Sequence, residues 1–390
     1  MTMNGVMTIS PFFSPNIGGV ETHLDDLGKV IEKEGLYHAV ITYQPLTSKV
    51  KARIYTKTIN GFVLRVPWIR NLFYRFEKNP ILQFPYLFTG IFIAGFVFLI
   101  FNCRKVRVVH GHGLAAGAAA MLLSKIFRKK GVLSIHTIYK FSERPALGKV
   151  VKRIFSNIDK ILVLAKGAKD DMVHIGISPE KIVIYTCWVD NACKFKEMEK
   201  NHCRKELGLS LDKTICLFVG RFSEEKGLNT VFDVISNNRR TDLMFLLIGN
   251  GPLMPKAREV CKNNIAVSLC DSVNNDRLPL YYNSADVLVF GSVDMDYYGR
   301  VTMEALSCGL PVILPRTTKY FGEERKITVD FPEGKIGYLC VHDPDALGIT
   351  IDKVCSGKET MRAMRGACRV YALQNFSETN AQVFIREYLN

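Results

Sequence analysis

Residues 286–315 read DVLVFGSVDMDYYGRVTMEALSCGLPVILP and contain the clearest fold signal in the chain. The apolar run 287–290 predicts a buried strand, and the pattern that begins at Gly299 predicts a helix. That helix is expected to end at Gly309 and Pro311, which are typical helix terminators, and a second apolar run follows at once. A strand, a helix and a strand in this order predict one βαβ unit of a parallel sheet.

Two carboxylates lie beside the predicted start of that helix. Asp296 and Glu304 are separated by seven residues, with Asp296 on the loop and Glu304 in the helix. At a rise of about 1.5 Å per residue, Glu304 lies roughly 7–8 Å along the axis from the helix start. The free N–H groups of Gly299, Arg300 and Val301 would point at the same space, and helix N-termini bind phosphate. This combination predicts a ligand that is both phosphorylated and rich in hydroxyl groups, such as a sugar nucleotide.

The same stretch resembles the motif of a known family. The pattern Asp/Glu-x₇-Glu, with Gly three residues after the first acid and Glu-Ala-x-x-x-Gly-x-Pro from the second, is similar to that of the retaining glycosyltransferases of group 1, or family 4. Most members have Glu at the first position, where this chain has Asp296. The resemblance implies a GT-B fold, an α/β architecture in which two Rossmann-like domains face a cleft and a C-terminal helix crosses back to the first domain. It also implies that Glu304 binds a ribose hydroxyl and Asp296 the sugar.

Two other interpretations of the acids remain open. Carboxylates around a helix start also serve as caps and as partners of the helix dipole. Asp294 and Asp296 also form a DxD pattern after a strand, which binds a metal in the other large glycosyltransferase fold. The helix and the Gly-Leu-Pro stop that follow argue against the metal site.

Short apolar runs alternate with helix-length segments along the whole chain, as in parallel α/β sheets. With 390 residues, of which 48% are apolar, the chain is long enough for two domains. We predict an N-terminal acceptor-binding domain at 1–188, a linker at 189–213, a nucleotide-sugar-binding domain at 214–372 and a crossover helix at 373–390. The predicted strands are 6–10, 39–43, 106–110, 132–136, 160–164 and 182–185 in the first domain, and 215–219, 243–248, 265–269, 287–290 and 311–314 in the second.

The positive charge is concentrated in the first half of the chain. Residues 1–205 contain 31 Lys and Arg against 14 Asp and Glu, whereas residues 206–390 contain 21 against 23. The excess indicates an anionic partner of one domain rather than general solubility. The sequence has no zinc finger, RNA-recognition aromatic motif or basic helix with base-reading spacing, so a membrane surface is favoured over nucleic acid.

An uncharged stretch of 18 residues, FPYLFTGIFIAGFVFLIF at 84–101, supports the membrane interpretation. Its length is at the lower limit for a spanning helix. A single crossing would separate the strand at 106–110 from the first strand at 6–10, with which it is expected to share a sheet. A helix in the membrane interface satisfies both observations, while a buried core helix and a true span remain open. The cations beside it are Arg104, Lys105, Arg107, Lys125, Arg128, Lys129 and Lys130.

The 11 cysteines show neither a CxxC pair nor a Cys/His cluster with zinc spacing. They are scattered through predicted strands and helices, where a free cysteine acts as a small apolar side chain. Together with the lack of a cleavable signal peptide in this sequence, they predict a reducing cytoplasmic compartment. We expect a peripheral position on the cytoplasmic membrane face, no metal, and no cofactor besides the nucleotide-sugar substrate.

The segment GRFSEEKG at 220–227 follows a predicted strand. Gly220 allows the backbone to approach a ligand, and Arg221 and Lys226 place two cations five residues apart around a tight turn. Two fixed positive charges that face a pyrophosphate would stabilise a departing nucleoside diphosphate, as a metal ion does in other enzymes. The segment resembles the family's G-R-x₄-K-G motif, which implies this role, although such loop cations are commonly just solvated.

A second turn of this domain, GNGP at 249–252, resembles the family's G-x-G-P motif. The resemblance implies that Gly249 and Gly251 shape the base pocket through their backbone, and ordinary turn chemistry is the alternative. The chain departs from the family pattern at Thr186-Cys187-Trp188 and at 316–325, where the usual Pro-Asn-Gly and Gly-Gly-x-Glu are absent.

The loops of the first domain carry glycines and histidines at strand ends. PNIGGVETH at 15–23 resembles the family's P-x-x-G-G-x-E loop, which implies that Gly18 and Gly19 lie against the donor phosphate and acceptor. Open α/β sheets bind ligands at this edge, although a plain turn, and structural roles for Glu21 and His23, are the alternatives. Three further histidines end strands. The family implies a place near the transferred sugar for His112, whereas His136 and His110 are weaker candidates.

These observations predict a retaining, metal-independent hexosyltransferase. It would move a sugar from a UDP- or GDP-sugar to a lipid-linked or glycan acceptor, as in cell-envelope polysaccharide or glycolipid biosynthesis. The alternatives are a sugar-nucleotide epimerase of the same fold and a non-catalytic sugar-nucleotide-binding protein. The expected partners are the donor, the acceptor and an anionic membrane surface, without nucleic acid.

Overall fold

The computed structural model describes residues 4–16, 18–48, 50–76, 79–137, 139, 141–262, 264–289, 293–294, 297–320, 323–326, 330–355 and 357–390. The chain divides into two compact units, Met1–Cys187 with Thr379–Asn390, and Trp188–Glu378. All of the net charge lies in the first unit, which has 27 Lys and Arg against 12 Asp and Glu, whereas the second has 25 of each sign.

Strands and helices alternate in both units. In chain order, the strands are β1 (Gly5–Ile9), β2 (His38–Tyr43), β3 (Tyr55–Lys57), β4 (Gly61–Val66), β5 (Val106–His112), β6 (Lys130–Ile135), β7 (Lys160–Val163), β8 (Ile182–Ile184), β9 (Thr214–Val219), β10 (Leu243–Ile248), β11 (Val267–Cys270), β12 (Val287–Val289), β13 (Val293–Asp294), β14 (Tyr297–Tyr298), β15 (Val312–Pro315), β16 (Thr317–Tyr320), β17 (Glu323–Lys326) and β18 (Gly337–Cys340). The helices are α1 (Gly19–Lys33), α2 (Arg70–Phe76), α3 (Pro80–Asn102), α4 (Leu114–Ile126), α5 (Pro145–Phe155), α6 (Lys166–His174), α7 (Lys200–Glu206), α8 (Leu228–Asn237), α9 (Met254–Lys262), α10 (Leu278–Ser284), α11 (Arg300–Ser307), α12 (Pro344–Val354), α13 (Lys358–Asn375) and α14 (Gln382–Leu389).

The first unit is built on an eight-stranded sheet with the order β3-β4-β2-β1-β5-β6-β7-β8. Every neighbouring pair is parallel except β3 and β4. The strands β1, β2, β5, β6 and β7 are almost fully buried because helices cover both faces of a parallel sheet, whereas β3, β4 and β8 are partly exposed. Helices α3 and α4 pack over Met7, Ile9 and Ile41, and fully buried Ile91 and Leu123 belong to the same core.

The second unit contains a six-stranded, all-parallel sheet with the order β11-β10-β9-β12-β15-β18. Its core joins the sheet to α8, α9 and α12 through buried residues such as Phe218, Phe245, Val231 and Leu347. Two parallel sheets covered by helices confirm the fold class predicted from the alternation of apolar runs and helical segments.

The strand order reverses beside the first strand of each sheet. Strand β1 lies between β2 and β5, and β9 lies between β10 and β12. Open α/β sheets bind ligands outside the carboxyl ends of the strands at such a switch point. The loops that follow β1 and β5 in the first unit, and β9 and β12 in the second, are therefore the places where each unit is expected to bind.

Helix α3 contains the apolar stretch predicted from sequence. It leads to β5, which pairs with β1 in parallel, so the expectation that these two strands share a sheet is confirmed. Its segment 81–105 is long and apolar enough to cross a membrane by length and composition alone. The inner face packs in the core, while the outer stripe is apolar and exposed: Leu82, Ile93, Val97, Ile100 and Phe101.

A ladder of phenylalanines separates those two faces of α3. Phe84, Phe88, Phe92 and Phe96 are half-buried and spaced four residues apart, with successive ring centroids 6.1, 5.2 and 6.3 Å apart. Phe127, just after α4, continues the ladder at 5.4 Å from Phe96. Helix α3 is therefore apolar on all sides, although only one side packs in the core.

The segment predicted as a linker, 189–213, differs from the expectation because it lies within the second unit and contains α7. Two of its cations are engaged in ion pairs rather than solvated. The side chain of Arg204 is 4% exposed and donates to Asp286 Oδ2 at 2.6 Å, and Lys200 Nζ lies 2.5 Å from Asp286 Oδ1. Part of the polar composition that is typical of a linker therefore belongs to packed structure, while residues such as Lys196 and His202 are exposed.

The C-terminal prediction concerned residues 373–390. In the structure α13 extends to Asn375 within the second unit, and the segment from Thr379, including α14, groups with the first unit. There, Lys130 Nζ lies 3.1 Å from Glu387 Oε2, and Arg107 donates to the Asn390 carbonyl at 3.1 Å. Two of the cations expected beside the membrane thus bind this terminal segment instead.

Candidate functional site

The loop after β1 brings Gly18 and Gly19 to the switch point of the first sheet. Helix α1 begins at Gly19, and the Thr22 hydroxyl donates to the Gly18 carbonyl at 2.9 Å. A Cβ on Gly18 would lie 2.3 Å from Glu21 Oε2, so the Glu21 carboxylate folds back over this glycine. Burial raises the pKa of Glu21. A Cβ on Gly19 would meet no described atom within 4 Å, which leaves this position accessible to a ligand.

The histidines at neighbouring strand ends form one buried cluster, as their positions along the sequence predict. His110 has a structural setting, because Tyr388 OH lies 2.7 Å from Nδ1 and Ser134 Oγ lies 2.8 Å from Nε2. Its ring centroid is 4.0 Å from that of His112. Phe384 of α14 lies 5.9 Å from the same ring, so the terminal helix helps to hold the cluster together.

His112 is the last residue of β5 and is 3% exposed. Its Nδ1 lies 3.1 Å from His136 Nε2, and His136 Nδ1 lies 3.3 Å from Tyr185 OH. Burial, reinforced by the other histidines, lowers the pKa of His112 well below its usual value, and burial lowers the pKa of His136 to about 4. Both rings are therefore neutral near pH 7. His112 Nε2 has no hydrogen-bond partner within the described residues.

His23, on α1, joins this cluster from the other side of the switch point. Its ring centroid lies 5.5 Å from that of His136 and 5.8 Å from that of Tyr185, and its Nδ1 lies 3.9 Å from Cys187 Sγ. The structure thus adds His23 and Tyr185 to the three strand-end histidines; no pattern in the sequence indicates Tyr185 in this cluster.

In the second unit, Gly220 directly follows β9 with a φ of 152°, a conformation that favours glycine. A Cβ there would meet no described atom within 4 Å. Arg221 is exposed, and Lys226 ends a short 3₁₀ turn, Glu224–Lys226, from which α8 begins. The two predicted cations therefore lie on the loop at the carboxyl end of β9, beside an accessible stretch of backbone.

Gly249 and Gly251 have a clear role within the unit. A Cβ on Gly249 would lie 1.8 Å from the Gly220 carbonyl oxygen, and one on Gly251 would lie 2.6 Å from that of Phe222. The backbone N–H of Phe222 donates to the Asn250 carbonyl at 2.9 Å. Both glycines thus allow this turn to pack directly on the Gly220 loop and fix its shape. Their contact with a nucleobase stays a prediction.

Glu304 lies on α11 and is 3% exposed. Its Oε1 accepts a hydrogen bond from Arg300 Nε at 3.0 Å, and its Oε2 accepts one from Tyr282 OH at 2.8 Å. Burial raises the pKa of Glu304, while Arg300 and Tyr282 act against that rise. The carboxyl group is therefore held in place from two sides, and each oxygen keeps acceptor capacity for a ligand hydroxyl.

The start of α11 has the geometry expected of an anion site. Gly299 is its N-cap residue, with extended backbone, and among the described residues no side chain caps it. The Arg300 side chain was not anticipated, although its spacing of four residues from Glu304 is the signal of a helical ion pair. Tyr282 belongs to α10, and no sequence pattern connects it to Glu304.

The first acid of the motif, Asp296, lies outside the described residues. The described residues on either side of it form two short antiparallel strands, in which Val293 pairs with Tyr298 and Asp294 with Tyr297. The second strand is favoured by its tyrosines, and the buried Tyr298 donates from its OH to the Asp330 carbonyl at 2.8 Å. The prediction that Asp296 itself lies on a loop concerns residues outside those described. Within the described part of the chain, no group of three or more His, Cys, Asp or Glu is placed to hold a metal.

Two family descriptions match successive parts of the chain. Residues 17–192 match Glycosyltransferase Family 4, and residues 199–369 match Glycosyl transferases group 1. Among curated relatives, the phosphatidylinositol N-acetylglucosaminyltransferase GPI3 subunit of Saccharomyces cerevisiae is 24% identical over 346 residues, which cover 83% of this chain and 72% of the relative.

Solved structures share the fold. Sucrose-phosphate synthase from Thermosynechococcus elongatus has a TM-score of 0.76 at 18% identity, over 98% of both chains. Anabaena HepE in complex with UDP-glucose has a TM-score of 0.70 at 14% identity, over 98% of this chain and 99% of that one. These likenesses concern the fold and agree with the GT-B class predicted from sequence.

Proposed function

Because the chain belongs to the group 1, family 4 glycosyltransferases, we propose that it is a retaining enzyme that transfers a hexosyl group from a UDP- or GDP-sugar to a membrane-associated acceptor. The observation that carries this proposal lies in the second unit. The loop with Arg221 and Lys226 and the start of α11 follow adjacent parallel strands, β9 and β12, at the switch point of the sheet.

The chemistry at this edge suits the release of a diphosphate. In the proposed reaction, the bond between the anomeric carbon and the diphosphate oxygen breaks, and an acceptor hydroxyl oxygen bonds to the same face of that carbon. Arg221, Lys226 and the N–H groups at the start of α11 stabilise the charge that develops on the diphosphate. The proton of the acceptor passes to a diphosphate oxygen, so that no protein nucleophile, metal or further cofactor is required.

Further side chains of each unit would bind the substrates. In the second unit, Glu304 accepts a hydrogen bond from a ribose hydroxyl through the acceptor capacity left by Arg300 and Tyr282, and Asp296 contacts the sugar of the donor. In the first unit, His112 contacts a sugar substrate. A nucleotide-sugar donor is supported by the similar fold of Anabaena HepE, which was solved in complex with UDP-glucose. A lipid acceptor is supported by the name of the yeast relative, a phosphatidylinositol N-acetylglucosaminyltransferase subunit.

A screen followed by a transfer assay tests this proposal. Thermal shifts with a panel of UDP- and GDP-sugars identify the donor, since a ligand that binds only the folded state raises the melting temperature. Transfer to lipid extracts should persist in EDTA and should fall by about 10²–10³-fold in Lys226→Ala, the loss typical of removing one donor to a developing anion. Lys262→Ala is the matched control, because Lys262 is the last residue of α9 and lies at the opposite edge of the sheet from the Lys226 loop. Its transfer rate should equal that of the wild type.

Each contrary result has a defined meaning. Full transfer by Lys226→Ala would contradict the phosphate role of that loop, and loss of transfer in EDTA would contradict metal independence. Binding of a nucleotide sugar without transfer to any acceptor would favour a non-catalytic binding protein. Turnover of the donor without an acceptor would favour an epimerase.

Attachment to an anionic membrane completes the proposed function. The exposed stripe of α3 ends in Phe101. Arg104 and Lys105 follow the end of α3, Lys125 lies in the last turn of α4, and Arg128 and Lys129 follow α4. These ends precede the adjacent strands β5 and β6, so the cations lie along one edge of the sheet. An apolar helix with cations at its end is suited to lie in the headgroup region of the cytoplasmic leaflet.

Sedimentation with vesicles tests the attachment. Binding to vesicles that contain phosphatidylserine should weaken as the salt concentration rises, because salt screens the cations. Ile93→Ser with Val97→Ser should reduce binding, whereas Ile349→Ser, at an equally exposed apolar site on α12, should not. Equal binding by all three proteins, or binding unaffected by salt, would contradict this surface.

A further inference from the structure

A row of hydrogen bonds connects three side chains of the first unit and ends at an unpartnered atom. Tyr185 OH lies 3.3 Å from His136 Nδ1, and His136 Nε2 lies 3.1 Å from His112 Nδ1. The far nitrogen of His112, Nε2, has no hydrogen-bond partner within the described residues, although the side chain is 97% buried. A buried polar atom without a hydrogen-bond partner destabilises the folded state, so its presence calls for a functional explanation.

The protonation pattern of such a row follows from the chemistry of neutral imidazole. Each neutral ring has one N–H donor and one bare acceptor nitrogen. If His136 donates from Nε2 to His112 Nδ1, then His112 carries its own proton on Nε2, and His136 Nδ1 accepts from Tyr185. In the opposite arrangement, both protons lie on Nδ1, and His136 must donate to the phenol oxygen.

The hydroxyl of Tyr185 decides between these two arrangements. A phenol is a stronger hydrogen-bond donor than an imidazole N–H, and a bare imidazole nitrogen is a stronger acceptor than a phenol oxygen. The first arrangement therefore uses the better donor and the better acceptor at the outer end of the row. The burial of both histidines, described above, keeps them neutral, which this reasoning requires.

We propose that Tyr185 and His136 are positioning residues that fix His112 in the tautomer with its proton on Nε2. His112 then offers a hydrogen-bond donor, rather than a base, to an oxygen atom of a sugar substrate. This last step rests on the proposed function, whereas the tautomer itself does not. The second nitrogen of a functional histidine sets its tautomer in the same way in metal and catalytic sites.

His110 limits how far the His112 ring can rotate. Its ring lies 4.0 Å from that of His112, and its two nitrogens are held by Tyr388 and Ser134. A flip of His112 about its Cβ–Cγ bond would put Cδ2 in the place of Nδ1 and break the bond to His136. The doubly bonded His110 ring, which lies against the His112 ring, thus helps to fix the orientation that the row of hydrogen bonds needs.

Nitrogen NMR of the full chain, labelled with ¹⁵N-histidine and without added sugar, tests the tautomer directly. The wild type should show His112, identified by its loss in His112→Asn, with the proton on Nε2. Tyr185→Phe removes one hydroxyl and should shift the ratio of the two tautomers about tenfold towards the Nδ1 form, the change expected from one hydrogen bond. Tyr86→Phe removes a hydroxyl of the same unit that donates to the Ile69 carbonyl, outside the histidine cluster, and should leave the His112 signals unchanged.

Substitutions of His136 give a second comparison. His136→Gln can still donate an amide N–H to His112 Nδ1 and should keep the Nε2 proton, whereas His136→Leu, of similar size but without a donor, should give a mixture. A His112 proton on Nδ1 in the wild type, or no change in Tyr185→Phe and His136→Leu, would overturn the proposal. Nitrogen shifts that respond as expected in a protein that transfers no sugar would leave the tautomer relay standing and refute the proposed function instead.

Discussion

Arg300→Met should destabilise the second unit because it removes the cation that compensates buried Glu304. The Glu304 side chain is 4% exposed, the Arg300 side chain is 16% exposed, and Arg300 Nε lies 3.0 Å from Glu304 Oε1. Removing one partner of such a buried pair costs about 3–5 kcal/mol, because the other charge is left without compensation. For a unit of this size, each kcal/mol changes the melting temperature by about 2–4 °C, so a decrease of about 6–20 °C is expected near neutral pH.

The loss should also depend on pH. Burial raises the pKa of Glu304, and Arg300 opposes that rise, so Met at position 300 raises the pKa further. A carboxyl group whose folded pKa is raised contributes stability below its unfolded pKa, and this contribution is lost as the pH rises through the folded pKa. The difference in melting temperature between Arg300→Met and the wild type should therefore be smaller at acidic pH than at alkaline pH.

Differential scanning calorimetry at several pH values measures this effect. A double variant that adds Glu304→Gln should recover most of the stability, since the uncompensated charge is gone. Arg240→Met is the matched control, because the Arg240 side chain is 37% exposed and its pair with Asp242 is on the surface. Such a pair contributes about 1 kcal/mol or less. If Arg300→Met melts like Arg240→Met at every pH, the reasoning is wrong.

Two further predictions concern the glycine turn and the buried histidines. Gly249→Ala should lower the unfolding free energy by more than about 3 kcal/mol, because its Cβ would lie 1.8 Å from the Gly220 carbonyl oxygen and the φ of this residue is 148°. Gly19→Ala is the control and should change the unfolding free energy by less than about 1 kcal/mol, because its Cβ would meet no described atom within 4 Å. Equal effects of the two variants in calorimetry would contradict this prediction. In an NMR titration, His38 and His136 should stay neutral until about pH 4, because burial lowers both pKa values to about 4. Since an unfolded histidine binds its proton near pH 6.5, the unfolding free energy of the first unit should fall as the pH decreases from 6.5 to 4, and a flat profile would be inconsistent.

The buried strands could be predicted from sequence because a parallel sheet covered on both faces requires continuous apolar runs. The strands that were missed lack such runs. Strand β4 contains Arg65, which is 7% exposed and donates to the Ser14 carbonyl at 2.9 Å, so a buried cation interrupts the pattern. Strand β18 has only four residues, Gly337–Cys340, and two of them are half-buried.

The parts of the site that lie on one element could also be predicted, since they depend on local spacing. The Gly220–Gly227 loop and the position of Glu304 on α11 follow from strand and helix signals. Contacts between distant segments could not be predicted in this way. Tyr282 contacts Glu304 from α10, and Tyr388 contacts His110 from 278 residues further along the chain. No periodic pattern in the sequence indicates either contact.

The composition of the first unit has a consequence for biosynthesis. Thr379–Asn390 belong to this unit, yet the ribosome makes them only after all of Trp188–Glu378. At about 5–20 residues per second, translation of the intervening residues takes on the order of 10–40 s. During that time His110 lacks its hydrogen bond to Tyr388, and Lys130 lacks its ion pair with Glu387. The nascent first unit therefore has an uncovered surface, the one to which the terminal segment binds. A fragment that ends at Cys187 would keep that surface permanently and should depend on chaperones more than the full chain does.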